Sequence, residues 1–342
     1  MTASAAPVPS GTRSGSPLVN HFPALASLPR AGLLASLPTP VLASTLAPGL
    51  WVKRDDLTAG PIGGNKVRAL EFLLGGLAAG AEVLTAGATG STHSLTTVIH
   101  ARRLGARAAV VRWPQEMNDV ARAVARRIEA EAHRTYAARS VVGAYWRALR
   151  IRLARDVRWV PPGGTSALGA LGHVDAALEL ASQVAAGECP APARIVVPLG
   201  SGGTAAGLAL GLEIAGMRTR VLGVRVVSRI VANRARVLRL ASRSARLIER
   251  LAPGARVPRV APSRFDVVEG HFGGAYGRET AEGRAAAERF RGGHTPALLE
   301  PTYTAKAFAA ALARCDGEVT LFWLTFDSRW LSGLGTPKLE LP

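Results

Sequence analysis

The chain has 342 residues, 48% of them hydrophobic and 19% charged, enough to bury the core of one large domain or two smaller ones. No apolar run approaches the roughly 18 to 20 residues that a membrane-crossing helix needs, and Cys189 and Cys315 are too few and too far apart for a disulfide framework or a zinc knuckle, so no metal site is expected. With 42 basic against 24 acidic residues the formal net charge is +18. That excess raises a nucleic-acid partner, but the arginines are spread along helical patterns at 119–139 and 231–250 with few aromatics between them to stack on bases, and the reading is a solvated arginine-rich surface.

The first fifty residues hold no Asp or Glu and are rich in Ser, Ala and Pro. A disordered tail over 1–16 is expected, then a segment packed on the body. This composition overlaps with transit peptides but has no continuous apolar core of a secretory signal, and a reducing cytoplasm is the expected location. Next come Lys53-Arg54-Asp55-Asp56-Leu57-Thr58 and Gly63-Gly64-Asn65-Lys66-Val67-Arg68. Two glycines let the backbone turn sharply and approach a flat ligand, and they set Lys66 at the start of a helical pattern over 66–80. A lysine held there by its helix is placed to act as a nucleophile towards a carbonyl.

From residue 82 onward, short β-rich apolar runs alternate with longer runs of helical spacing. Strands are expected at 82–86, 106–113, 157–160, 194–198, 220–226, 264–268 and 318–325, and helices at 95–104, 118–139, 169–186, 204–215, 231–251, 279–291 and 304–313. Such alternation predicts an α/β fold with parallel sheet covered on both faces. Within it, Gly200-Ser201-Gly202-Gly203-Thr204 follows the apolar run 195–199 and opens a helix. Strand, glycine loop and helix N-terminus in that order form an anion site, to which Ser201 and Thr204 can add hydroxyl donors. A dinucleotide would call for an acid at the end of the next strand, and Val221-Leu222-Gly223-Val224-Arg225-Val226-Val227 has none.

These two glycine stretches, with Ala88-Thr89-Gly90-Ser91-Thr92-His93-Ser94, Pro161-Pro162-Gly163-Gly164-Thr165-Ser166 and Glu300-Pro301-Thr302-Tyr303-Thr304-Ala305-Lys306, resemble in content and order the pyridoxal-phosphate (PLP) enzymes of fold type II. The branch resembled is that of D-cysteine desulfhydrase and 1-aminocyclopropane-1-carboxylate (ACC) deaminase, over about 37–326. The resemblance implies a tryptophan synthase β-like α/β fold of two open parallel-sheet lobes with the cofactor in the cleft between them. Residues 17–60 and 161–342 would form the large lobe and 61–160 a small inserted one, in a homodimer. It makes Lys66 the lysine that carries PLP and moves the proton at Cα, and 200–204 the phosphate cup. Ser91 takes the position of the catalytic serine, although a Ser-Thr pair before a helix also makes an N-cap. Thr92 stands where the family has an asparagine bonded to the cofactor's 3′ oxygen, with Asn65 as the alternative donor. His93, Gly164 and Thr165 would face the substrate, Tyr276 substrate and ring, and Tyr303 the ring.

The resemblance also bears on the reaction. Thr304 would meet the pyridine nitrogen, where the ACC deaminase branch has glutamate, and Thr325 stands where deaminases have leucine. A hydroxyl cannot hold that nitrogen protonated as a carboxylate does, so departure of a β-leaving group would drive the reaction. The family's His-Thr-Gly-Gly is Leu324-Thr325-Phe326-Asp327 here, which changes the pocket wall. The expected activity is a PLP-dependent α,β-elimination from a small amino acid, D-cysteine first. ACC deamination, elimination from another small amino acid, and a nucleic-acid-binding or PLP-binding pseudoenzyme are the alternatives.

Overall fold

The computed structural model describes residues 15–293 and 297–334. In chain order the helices and strands are α1 (Pro17–His21), β1 (Val41–Ala43), β2 (Leu50–Lys53), α2 (Asn65–Leu73), β3 (Glu82–Ala88), α3 (Thr92–Arg103), β4 (Arg107–Trp113), α4 (Asp119–Glu131), β5 (Arg134–Ala137), α5 (Val141–Ala154), β6 (Arg158–Val160), α6 (Ala167–Ala185), β7 (Arg194–Leu199), α7 (Gly203–Ile214), β8 (Arg220–Arg225), α8 (Arg234–Leu251), β9 (Phe265–Val268), α9 (Ala281–Arg291), α10 (Thr304–Leu312) and β10 (Thr320–Trp323). The strands form two sheets. The larger has the order β1-β2-β10-β7-β8-β9 and is parallel apart from β1, which runs antiparallel to β2. The smaller, β5-β4-β3-β6, is parallel throughout.

All seven strands expected from composition are present. Many helices begin at a polar residue whose side chain accepts the N–H three residues on: Asn118 for α4, Ser140 for α5, Ser166 for α6, Asn233 for α8 and Thr280 for α9. The expected helix 118–139 is corrected. It ends at Glu131, and Arg134-Thr135-Tyr136-Ala137 pairs with β4 as the sheet's edge strand. Apolar residues at helical spacing run up to that point, but a β-branched and an aromatic residue then favour a pleated edge. Of the expected tail, 1–14 lie outside the described residues, and Ser16 is buried with its hydroxyl donating to Asp175 at 2.7 Å.

Because β10 lies between β2 and β7, the two ends of the large sheet's chain meet, and the turn after β2 lies against the segment after β10. Helix α2 lies between the sheets. Phe72 joins the core around α6 and α7, while Val67, Leu70 and Leu73 pack with Val83, Leu95 and Val98 of the small lobe. A Cβ at Gly172 of α6 would lie 1.9 Å from the Arg68 carbonyl oxygen, so α2 and α6 touch backbone to backbone at that glycine. Among the described residues no helix is long and apolar enough to cross a membrane, and no cluster of His, Cys, Asp or Glu could hold a metal ion.

Candidate active site between the two sheets

The Gly63-Gly64 turn is dictated by crowding. A Cβ at Gly63 would sit 2.3 Å from the Asp56 carbonyl oxygen, and one at Gly64, where φ is +98°, 2.6 Å from the Thr325 carbonyl oxygen. The space is taken by hydrogen bonds that clamp the turn to the chain after β10: Gly63 N–H to the Asp327 carboxylate at 2.7 Å and Asn65 N–H to Thr325 O at 3.1 Å. The preceding Lys-Arg-Asp-Asp run is scaffold. Lys53 Nζ donates to Glu179 at 2.6 Å, and Arg68, fully buried, pairs with both Asp55 and Glu179. Arg54 pairs with Asp56 at 2.8 Å. This buried set of charges fixes the start of α2, and with it Lys66.

Lys66 opens into a cavity of about 750 Å³ between the sheets. Its ammonium has no hydrogen-bond or ion-pair partner among the described residues, and burial lowers its pKa from 10.5 to about 8. Two imidazoles close by stay uncharged at neutral pH: burial, then the nearby Lys66 charge, brings His93 down to about 3 and takes His173 well below its ordinary value. His93 lines the cavity with Nε2 on the Thr85 hydroxyl at 3.1 Å. The rate at which cofactor-free protein takes up PLP, followed in the visible spectrum, is expected to rise with pH and level off above about 8, because only the neutral amine attacks a carbonyl. A rate still climbing towards 10.5 would show that Lys66 is not the desolvated group described here.

Across the cavity, β7 ends in Gly200-Ser201-Gly202, with Gly202 left-handed at φ +93°, and α7 follows at once. Side chains brace this loop. Thr165 donates to Ser201 Oγ at 2.5 Å, and Asn65 donates to Thr204 Oγ1 at 2.8 Å, which joins α2 to the start of α7. The amide of Asn65 is therefore engaged with Thr204, while Thr92 lines the cavity beside Ser91. Ser91 caps α3, accepting the Ser94 N–H at 3.3 Å, and it lines the cavity.

Tyr276 and Tyr303 meet in the cleft with hydroxyls 2.5 Å apart and rings edge to face. Burial pushes Tyr276 up to about 12 and raises Tyr303 well above its ordinary value, so both are neutral at working pH. Tyr303 is positioned by Glu300, whose buried carboxylate accepts the N–H groups of Thr302, Tyr303 and Thr304 at 2.7 to 2.8 Å at the start of α10. Thr304 is placed differently from the expectation. It is fully buried, its hydroxyl exchanges hydrogen bonds with the Glu300 backbone, and it does not line the cavity, whereas Thr325 does. Gly164 is likewise set behind the wall, against Ala69 and Leu73. The remaining expected residues, Lys66, Asn65, Ser91, Thr92, His93, Thr165, 200–204, Tyr276, Tyr303 and Thr325, share the one cavity. Glu300 and Asp327 also line it but had not been assigned; both stand inside stretches singled out in the sequence.

PLP fits these residues. An unpaired amine of lowered pKa stands on one side, a glycine-lined helix N-terminus for a phosphate on the other, and a tyrosine ring whose Cε1 would lie 3.1 Å from a Cβ at Gly200 flanks the space between them. The profile of the pyridoxal-phosphate dependent enzymes matches residues 33–324. The chain belongs to that family, and within it to the group of lyases that its relatives represent. A Pyrococcus horikoshii protein provisionally named 1-aminocyclopropane-1-carboxylate deaminase is 35% identical over 85% of this chain and 86% of its own. The D-cysteine desulfhydrase of Salmonella paratyphi C is 31% identical over 84% and 89%, and the nocardicin C-9′ epimerase of Nocardia uniformis 34% over 89% and 94%. The crystal structure of an ACC deaminase homologue superposes with a TM-score of 0.75 at 29% identity, covering 90% of this chain and 94% of that one.

Proposed function

We propose that the protein catalyses α,β-elimination from a small amino acid, with D-cysteine as the leading substrate and pyruvate, ammonia and sulfide as products. The observation that carries this reading is the unpaired Lys66 amine, of pKa about 8, in one cavity with the Ser91 hydroxyl and a pair of neutral tyrosines. PLP, when bound, supplies an electron sink that makes the Cα proton removable. Lys66 then takes that proton, being close enough to neutrality to act as a base at physiological pH. Ser91 and the first turn of α3 face the space beside it, where a substrate carboxylate finds a helix N-terminus. The tyrosine pair offers a hydroxyl proton to the departing sulfur. Cα–H and Cβ–S break, sulfur leaves with the electron pair, and water converts the resulting enamine to pyruvate and ammonia.

Thr325 on the cavity wall supports elimination over ACC deamination, because the resemblance gives the desulfhydrases a threonine there and the deaminases a leucine. The epimerase relative favours a second reading, in which Lys66 removes the same proton and another group returns it on the opposite face. The two separate in one experiment. Purified protein with PLP is expected to release sulfide and pyruvate from D-cysteine faster than from L-cysteine, with ACC and D-serine slower. Loss of optical activity without sulfide would favour epimerisation, and an inert D-cysteine would remove the leading substrate.

A further inference from the structure

The groups used so far occupy the inner part of the cleft. Its outer part has walls from both lobes: Trp113 at the end of β4 with Val141 and Tyr145 on α5 on one side, Val231 and Arg236 ahead of and on α8 on the other. Val141, Tyr145 and Val231 are 46%, 50% and 39% exposed, which leaves large apolar side chains in water around the mouth of a concave site. Apolar surface in that setting marks contact with a ligand. Sulfide as a leaving group would touch none of it.

Arg236 adds a charge. Its side chain makes no ion pair or hydrogen bond among the described residues, although Arg234 beside it pairs with Asp266 and Arg225 with Glu269. Arg236 lines the same cavity as Tyr145, and its positive charge works against the burial that raises the Tyr145 hydroxyl. An unpaired guanidinium over an apolar wall suits a carboxylate, which it can bind through two parallel hydrogen bonds.

Resting on the elimination reading, we propose that the substrates include cysteine S-conjugates whose leaving group is an apolar, aromatic body ending in a carboxylate. The body lies between Trp113, Tyr145 and Val231, and the carboxylate pairs with Arg236. Lys66 removes the Cα proton, the Cβ–S bond breaks, and the S-linked body leaves as its thiolate with the electron pair. The enamine takes up water to give pyruvate and ammonia, so no oxidant or reductant enters.

The test measures kcat/KM for D-cysteine, S-benzyl-D-cysteine and S-(4-carboxybenzyl)-D-cysteine on the PLP-loaded enzyme. The benzyl conjugate is expected to exceed D-cysteine, and the carboxybenzyl conjugate to exceed the benzyl one by about tenfold, the effect of one partly exposed charge-assisted pair. In Arg236→Met the ratio of the two conjugates is expected to fall to about one, with Arg236→Lys between. Sulfide from D-cysteine with conjugates that react more slowly would overturn the inference and leave the elimination reading standing, and a ratio unchanged in Arg236→Met would overturn the role of that residue. If neither sulfide nor thiol appears from any of the three, the elimination reading fails and the inference falls with it.

Discussion

Lys66→Ala protein is expected to remain without the visible absorption of covalently attached PLP after incubation with the cofactor and removal of the excess, and to lose turnover by about 10⁴-fold, the upper end for deletion of a general base. The expectation is sharp because the chain offers few substitutes. Of the four lysines, Lys53 is fully buried among Glu179, Gln183 and the Thr39 carbonyl, and Lys306 donates to the Phe272 carbonyl at 2.8 Å. Lys338 lies outside the described residues. Among the described residues only Lys66 combines a free amine, a depressed pKa and a place in the cleft. Lys66→Arg separates the two jobs of the side chain: it keeps a cation in the pocket but can neither attach the cofactor nor accept a proton at working pH, and it should be as inactive as the alanine variant. A visible band that survives in either variant would move the attachment to another lysine and take the catalytic assignment with it.

What could be read from the sequence was what backbone crowding forces on residue type. Gly63, Gly64 and Gly202 stand where a Cβ would collide or φ is positive, so two glycine stretches at the two sides of the cleft announce themselves without any partner being known. Periodicity carried the parallel sheets for the same reason, since strands buried on both faces are apolar throughout. Several elements gave weaker signals. Helix α5 packs on the small sheet through Ala144 and Ala148 and exposes Val142, Trp146 and Leu153, so its apolar residues do not mark a buried face. Strands β1 and β2 are three and four residues long. The resemblance set Thr304 at the pyridine nitrogen, but at the start of α10 Tyr303 faces the cleft while the Thr304 hydroxyl closes back on Glu300. The scaffold role of the Lys-Arg-Asp-Asp run was not legible, because its partner Glu179 lies more than a hundred residues away and only the fold joins them.

That joining makes Glu179→Ala the substitution with the largest expected cost in stability. Glu179 accepts from Lys53, Arg68 and the Thr39 N–H, all buried. Deleting its carboxylate leaves an ammonium and a guanidinium without enough counter-charge in a dry interior, and removal of one partner from such a group costs about 3 to 5 kcal/mol, read as a lower denaturation midpoint in urea at an unchanged slope. Glu179→Gln keeps shape and some hydrogen bonds and should lose less. The sign with pH follows from the same group. Burial alone would raise its pKa, but the charges of Arg68 and Lys53 win and hold it at about 2, below its ordinary 4.5. Its contribution is therefore complete above about 4.5 and is lost as pH falls towards 2, and Glu179→Gln should show a flatter stability curve across that window than the parent. Because Arg68 sits on the same helical turn as Lys66, a variant that still folds with α2 shifted should also show a changed pH dependence of cofactor uptake. If Glu179→Ala unfolds at the parent's midpoint, the buried charges are not what holds α2, and the position of Lys66 must come from the glycine turn and its clamp to Thr325 and Asp327 alone.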